Sequence, residues 1–279
     1  MRNLKIAFSI LFVLAVAFFV VRACVYQKPS VKHPVKRVSA VPVKKVPKAK
    51  EKLSVQAPGV REAKMAIILD DWGNSTRLMK YFDEIDRPVT LSILPHLPFS
   101  KKIAESAESR GLGVMLHMPM QPKGTRAKLE PHTVLTAMSD AQISSHLVSA
   151  LESVPGAEGV NNHQGSAATS DLRVMKIVLG ELKKRNLFYI DSHVASTTVG
   201  PRVAKELGLR FAKRDVFIDN EMTAESIKKQ LDRAKGIAQR RGQVVVMGHD
   251  RELTLKVIKE VVPEFEKRGI KFVLVRELI

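Results

Sequence analysis

Met65-Ala66-Ile67-Ile68-Leu69-Asp70-Asp71-Trp72-Gly73 runs five apolar residues straight into two adjacent carboxylates, an indole and a glycine. An apolar run of this length, bounded by polar residues and Gly, suits a strand buried on both faces. The two aspartates then fall where the strand leaves its sheet. The pattern recurs along the chain. Gly113-Val114-Met115-Leu116 ends in His117, Gly159-Val160 in Asn161-Asn162-His163, and Leu187-Phe188-Tyr189-Ile190 in Asp191-Ser192-His193. Val216-Phe217-Ile218 ends in Asp219, and Val244-Val245-Val246-Met247-Gly248 in His249-Asp250. Apolar runs that repeatedly end in Asp or His, with helical periods between them, describe parallel strands delivering polar side chains to one rim. In βα-barrels that rim carries the active site.

The intervening stretches read as helices. Residues 75–85 place Leu78, Met79, Phe82 and Ile85 on one face. Ser139 with Gln142 three residues later is a capping box that opens a helix through Ile143, Leu147 and Leu151. A helix over 171–185 turns Leu172, Met175, Val178, Leu179 and Leu182 inward, and further helices span 224–241 and 253–268. Seven or eight βα units within 64–279 predict an α/β fold, an irregular (β/α) barrel of seven to eight parallel strands. An open doubly wound sheet is the second reading. No Gly-rich phosphate fingerprint follows the first strand, which counts against a dinucleotide fold.

Three segments are expected. Residues 1–25 hold Arg2 and Lys5, an uncharged apolar run from Ile6 to Val21, and Arg22. That is the pattern of a signal anchor or short transmembrane segment, with an uncleaved anchor favoured over lipidation at Cys24. Residues 26–63 are rich in Pro, Lys and Val with no helical or strand period, and read as an extended, self-repelling linker. From Tyr26 to Lys64 eleven basic residues face two acids, half of the chain's net charge of +18. The basicity is thus largely a linker property, suited to contact with a membrane surface or to plain solvation. No aromatic residues interleave with base-reading side chains there, so nucleic-acid binding is not expected. Residues 64–279 form the folded domain, expected on the periplasmic side of an inner membrane. The single cysteine allows no internal disulfide.

Asp70 and Asp71 are the strongest chemical signal. Neighbouring carboxylates repel, and both stay ionised only beside positive charge. A divalent metal supplies that charge while taking one carboxylate as ligand, leaving the other free to act as a base. Four of the chain's eight histidines, His117, His163, His193 and His249, stand at strand ends on the same rim. His33, His132 and His146 read as bland, and His96, between prolines, is open. One Asp with two His around an open position is a frequent catalytic metal arrangement, and imidazole with carboxylate suits zinc or another late first-row ion.

Leu69-Asp70-Asp71-Trp72-Gly73, Leu116-His117-Met118-Pro119-Met120, Asn161-Asn162-His163-Gln164-Gly165-Ser166, Phe188-Tyr189-Ile190-Asp191-Ser192 and Gly248-His249 together resemble the divergent polysaccharide deacetylase family, a branch with a NodB-like barrel. The resemblance implies a metal-dependent hydrolase that removes acetyl groups from a sugar polymer. Carried over, Asp70 is the base, Asp71 a metal ligand and His249 the acid that protonates the leaving group; His117 is the first histidine ligand. The mainstream deacetylases carry their second histidine four residues after the first, where this chain has Gln121. The Arg-Pro-Pro-aromatic motif is also absent. The second histidine ligand is therefore assigned to His163, with Asp191 and His193 as replacements or as orienting groups. Trp72, Asn162 and Ser192 are expected at the substrate or behind the ligands, with Trp72 as a sugar-stacking platform. A barrel that binds envelope polysaccharide without turnover is the competing reading, and another metal-assisted hydrolysis is a third.

Overall fold

The computed structural model describes residues 62–124 and 129–279. The expected anchor, linker and Cys24 lie outside the described residues. Among the described residues no helix is long and apolar enough to cross a membrane. Nine strands of the described residues form one sheet: β1 (Ala63–Trp72), β2 (Thr90–Ile93), β3 (Gly113–Met120), β4 (Gly159–Gln164), β5 (Phe188–Asp191), β6 (Phe211–Lys213), β7 (Val216–Phe217), β8 (Gln243–His249) and β9 (Ile270–Val273). Every pairing is parallel, in the order β6-β5-β4-β3-β2-β1-β8-β7 with β9 also on β1.

β1 is the hub. Its residues 64–70 pair with β8, 63–66 with β9, and 68–72 with β2. Since β8 and β9 share the same β1 residues, they must lie on opposite edges, and β2 continues the edge that β9 begins. Among the described residues the two end strands, β6 and β7, do not pair, so the sheet curls into a half-barrel. This is the parallel (β/α) architecture expected from the sequence; β6, three residues long, is the strand that the sequence presents only as a connection.

Among the described residues seven α-helices cover the outside: α1 (Lys80–Ile85), α2 (Ser100–Ser109), α3 (Asp140–Glu152), α4 (Leu172–Lys184), α5 (Gly200–Leu207), α6 (Ala224–Arg241) and α7 (Glu252–Lys267). The Ser139–Gln142 capping box is present at α3, Asp171 caps α4 through the Val174 N–H, and Thr223 caps α6. Two details differ from the sequence reading. α1 is shorter than 75–85, because Thr76, Leu78 and Met79 accept tight three-residue hydrogen bonds that keep the chain in turns until Lys80. Leu172 is exposed, and Val174 takes its place inside. At 3.6 residues per turn Leu172 falls about a quarter-turn off the face formed by Val174, Met175, Val178, Leu179 and Leu182.

Strand alternation divides the core in two. Met65, Ile67 and Leu69 of β1 pack outward under the helices, whereas Ala66 and Ile68 point into the barrel with Met115, Phe188, Ile190, Val245 and Met247. Continued towards the carboxyl ends of the strands, the inward series becomes polar: Asp70, Ser92, His117, Asn161, His163 and His249. The barrel interior is therefore apolar at its base and ionisable at its rim.

Gly159 shows how tightly that base is filled. It pairs with Phe188 across β4 and β5, and a Cβ added to it would lie inside the van der Waals envelope of the Phe188 ring. Gly159→Ala is expected to destabilise by about 1–3 kcal/mol through overpacking. Gly180→Ala on α4, where nothing lies within 4 Å of an added Cβ, should be neutral or gain roughly 0.5–1 kcal/mol. Urea unfolding midpoints of the two variants against the parent measure the difference.

Candidate active site

On a regular strand, Asp70 and Asp71 would point to opposite faces. Asp70 follows Ala66 and Ile68 into the barrel. Asp71 is brought to the same side by a break in β1: the β1–β2 register shifts between Leu69 and Trp72, and Asp71 has φ 69°. Asp is one of the few non-Gly residues that adopt this left-handed conformation at modest cost. Gly73 follows with φ 136°, and a Cβ there would stand 2.9 Å from Leu97 Cδ1. The sequence Asp-Asp-Trp-Gly is thus a local device for turning consecutive carboxylates onto one rim.

Three ligand-type atoms converge there. Asp71 Oδ1 lies 3.3 Å from His117 Nε2 and 3.2 Å from His163 Nδ1, and the two nitrogens are 3.2 Å apart. Asp71, His117 and His163 form the one group among the described residues whose side-chain atoms meet as a metal site requires. Asp71 Oδ1 is buried and without a hydrogen-bond partner, a costly condition for a carboxylate oxygen unless a cation completes it. The residues present therefore fit a divalent ion, in a site of one carboxylate and two imidazoles.

On one flank, Asp70 is almost fully buried and accepts a hydrogen bond from Asn161 Nδ2 at 2.9 Å. On the other, His249 Nε2 stands 3.7 Å from Asp71 Oδ2 while its Nδ1 lies 3.0 Å from Asp219 Oδ1. Asp219 is wholly buried, and its Oδ2 also accepts from the His249 N–H and the Thr254 hydroxyl.

Charge shapes the site accordingly. Burial alone would raise the Asp71 carboxyl, but His117 and His163 outweigh it and hold the group well below the usual carboxylate range. Burial would lower His117, yet the charge of Asp70 and contact with Asp71 push it up to about 9. Asp70 is raised by burial against the pull of His117 and Asn161. His249 is raised, since Asp219 and then Asp71 overcome its desolvation. Asp250, beside it, is pushed up to about 7 by burial and by Asp71.

Other expected residues sit elsewhere. Trp72 is fully buried on the outer side of the sheet, its ring 5.0 Å from that of Phe82, so it is a core residue and cannot stack on a sugar. Left out of the Asp71 group, Asp191 accepts from the His193 N–H and the Thr198 hydroxyl, and its loop is clamped by Arg214 through the Ser192 and His193 carbonyls. Asn162 receives Tyr189 Oη and the Ser192 N–H, which makes it a brace between β4 and the loop after β5. Ser192 keeps a buried hydroxyl without a partner. Gln121, standing where mainstream deacetylases have a histidine, accepts from the Thr136 N–H and hydroxyl and pins the loop before α3. His96, His132 and His146 gather away from the site, with ring centroids 4.4 and 6.2 Å apart. Asn161 and Asp219 are the partners that sequence reasoning missed. Counting back two from His163 puts Asn161 on the inward face, and Asp219 was visible as one more strand-end carboxylate.

The chain belongs to the divergent polysaccharide deacetylase family, whose model matches residues 67–279. It is 32% identical over 210 residues to the uncharacterised protein YibQ of Escherichia coli K12, an alignment that covers 75% of this chain and 65% of that protein. The chain thus spans a little under two thirds of that relative's length. An uncharacterised protein of Haemophilus influenzae is 31% identical over 198 residues, 71% of this chain and 70% of the relative. Among solved structures, an uncharacterised protein of Agrobacterium tumefaciens C58 shares the fold, with a TM-score of 0.74, 24% identity, and coverage of 80% of this chain and 92% of that one.

Proton competition gives the site a signature. A cation needs Asp71 ionised and both imidazoles neutral, while the metal-free protein holds the His117 proton up to about pH 9. Apparent zinc affinity should therefore climb as pH rises from 6, by up to about tenfold per unit, and level off beyond about 9. Calorimetric titration at several pH values checks this; a flat profile between pH 6.5 and 8.5 would contradict it.

Proposed function

We propose that the protein is a metal-dependent hydrolase that removes acetyl groups from an acetylated polysaccharide or oligosaccharide of the cell envelope. The observation that carries this reading is the convergence of Asp71, His117 and His163 between a buried carboxylate, Asp70, and a carboxylate-paired imidazole, His249. A divalent ion in that group, with zinc favoured by the donor set, would polarise the acetyl carbonyl and acidify a water.

Asp70 is the general base. Burial raises its proton affinity, and the Asn161 amide holds its Oδ1 in place. It accepts the proton of the water whose oxygen attacks the acetyl carbon. His249 is the general acid: Asp219 fixes its ring and favours its protonated form. It protonates the departing nitrogen or oxygen as the acyl bond breaks, releasing acetate and a free amine or alcohol. The Ser192 hydroxyl, buried and partnerless in the loop after β5, is the donor this loop would offer a substrate. Asn162, Asp191 and His193 shape the loop around it. The N-terminal apolar run suits an anchor that tethers the domain on the periplasmic side.

Acetate release from acetylated oligosaccharides tests the reading. Asp71→Ala and His163→Ala should lose both metal and activity. Asp70→Asn and His249→Ala should retain metal and lose about 10²–10⁴ in turnover. Asp219→Asn removes the charge that raises His249, so the acid loses its proton sooner and the alkaline limb of kcat/KM moves to lower pH. A zinc-loaded parent that binds such oligosaccharides and releases no acetate would favour the binding-only reading.

A further inference from the structure

At the floor of the site, one amide joins four strands. Asn161 on β4 is fully buried. Its Nδ2 donates to Asp70 on β1 at 2.9 Å. Its Oδ1 lies 2.8 Å from His117 Nδ1 on β3 and also receives the hydroxyl of Ser92 on β2. Asn161 and His117 are register partners on adjacent parallel strands, while Asp70 and Ser92 are reached across the barrel interior.

The donor and acceptor inventory fixes how this amide is oriented. An ionised carboxylate offers only acceptors, so the NH₂ group must face Asp70. The carbonyl oxygen then faces His117, whose Nδ1 must carry a proton to meet it. That leaves Nε2 as the nitrogen aimed at Asp71 and His163, at 3.3 and 3.2 Å. A histidine whose second nitrogen donates to a fixed oxygen presents its other lone pair in a defined direction. Among the described residues no other side chain hydrogen-bonds both His117 Nδ1 and Asp70.

We infer that Asn161 is a positioning residue that couples the two halves of the site, setting the His117 tautomer for cation binding and holding the Asp70 carboxylate through the opposite end of the same amide. The inference rests on the deacetylase reading for the role of Asp70 and on the donor geometry alone for His117. The two ends make different demands. A carboxylate at position 161 still accepts from His117 but has no N–H for Asp70. An alanine serves neither.

The test uses the full chain, uniformly ¹⁵N-labelled. In the parent, with or without zinc, His117 should show a downfield Nδ1–H resonance protected from exchange, since that nitrogen donates to Asn161 in either state. Zinc titration should show Asn161→Ala weakened about 10–100-fold with the protected resonance lost, and Asn161→Asp within about threefold of the parent with the resonance kept. Acetate release should fall sharply in both. Ser92→Ala, which leaves both critical bonds, should bind zinc as the parent does. A parent without a protected His117 Nδ1–H overturns the inference even if the variants do not fold. So does zinc binding by Asn161→Ala equal to the parent's, or equal loss in Asn161→Ala and Asn161→Asp when both are folded by circular dichroism. If the parent binds zinc and shows the resonance but releases no acetate, the deacetylase reading fails and the coupling at His117 stands.

Discussion

The site depends on β1 ceasing to be a regular strand at Asp71. Up to Leu69 the strand obeys strict alternation, with Ala66 and Ile68 inside and Met65, Ile67 and Leu69 under the helices. Without a break, Asp71 would take the outward place that Trp72 now fills, an environment in which an unpaired carboxylate is strongly disfavoured. The left-handed turn at Asp71 lifts it to the rim, and Trp72 then resumes the outward series and seals the layer against Phe82. The indole beside the aspartates thus locks the bulge from behind. Its full burial sets how rigidly the carboxylates are held, which a stacking platform at the surface could not do.

That turn creates an electrostatic problem that the rest of the rim answers. Asp70 and Asp71 are consecutive, and Asp70 is nearly inaccessible. Coulomb repulsion at such spacing reaches several kcal/mol where water is scarce. His117 lies between them, 3.8 Å from Asp70 and 3.3 Å from Asp71, which is why its proton persists to about pH 9 in the absence of a cation. The His117 proton therefore fills the same electrostatic niche that a cation would. His249 answers differently. Its partner, Asp219, sits on the opposite side of the ring from Asp71, so a carboxylate on each side favours its protonated form.

The strand-end positions of Asp70, Asp71, His117, His163 and His249 were legible in the sequence, because a strand buried on both faces leaves little ambiguity about where its apolar run stops. Their convergence was not, since it depends on strand order: β8 must return beside β1, and β4 must follow β3. The departures from local pattern have the same origin. The two-residue period from His163 puts Asn161, not Asn162, on the inward face, and the burial of Trp72 follows from a bulge that composition does not reveal. Leu172 lies off the buried helix face, whose phase is fixed by the cap at Asp171. The group of His96, His132 and His146 joins three segments distant in sequence, beyond the reach of any local pattern.

The position of the second histidine follows from strand geometry. β3 continues as a strand from Gly113 through Met120, so a residue four places after His117 lies about 13 Å further along at roughly 3.3 Å per residue. Two ligands of one ion cannot be that far apart. A histidine at 121 could serve only if the chain turned sharply after His117, whereas here it stays extended to form its ladder with β4. The neighbouring strand supplies the second imidazole instead. Asn161 is the register partner of His117, and His163, two residues on along the same inward face, brings its Nδ1 within 3.2 Å of His117 Nε2. The register that places His163 also places Asn161 beneath it. The amide that meets His117 and the imidazole that joins it therefore come from one strand at a fixed two-residue spacing, and Gln121 secures the loop through Thr136.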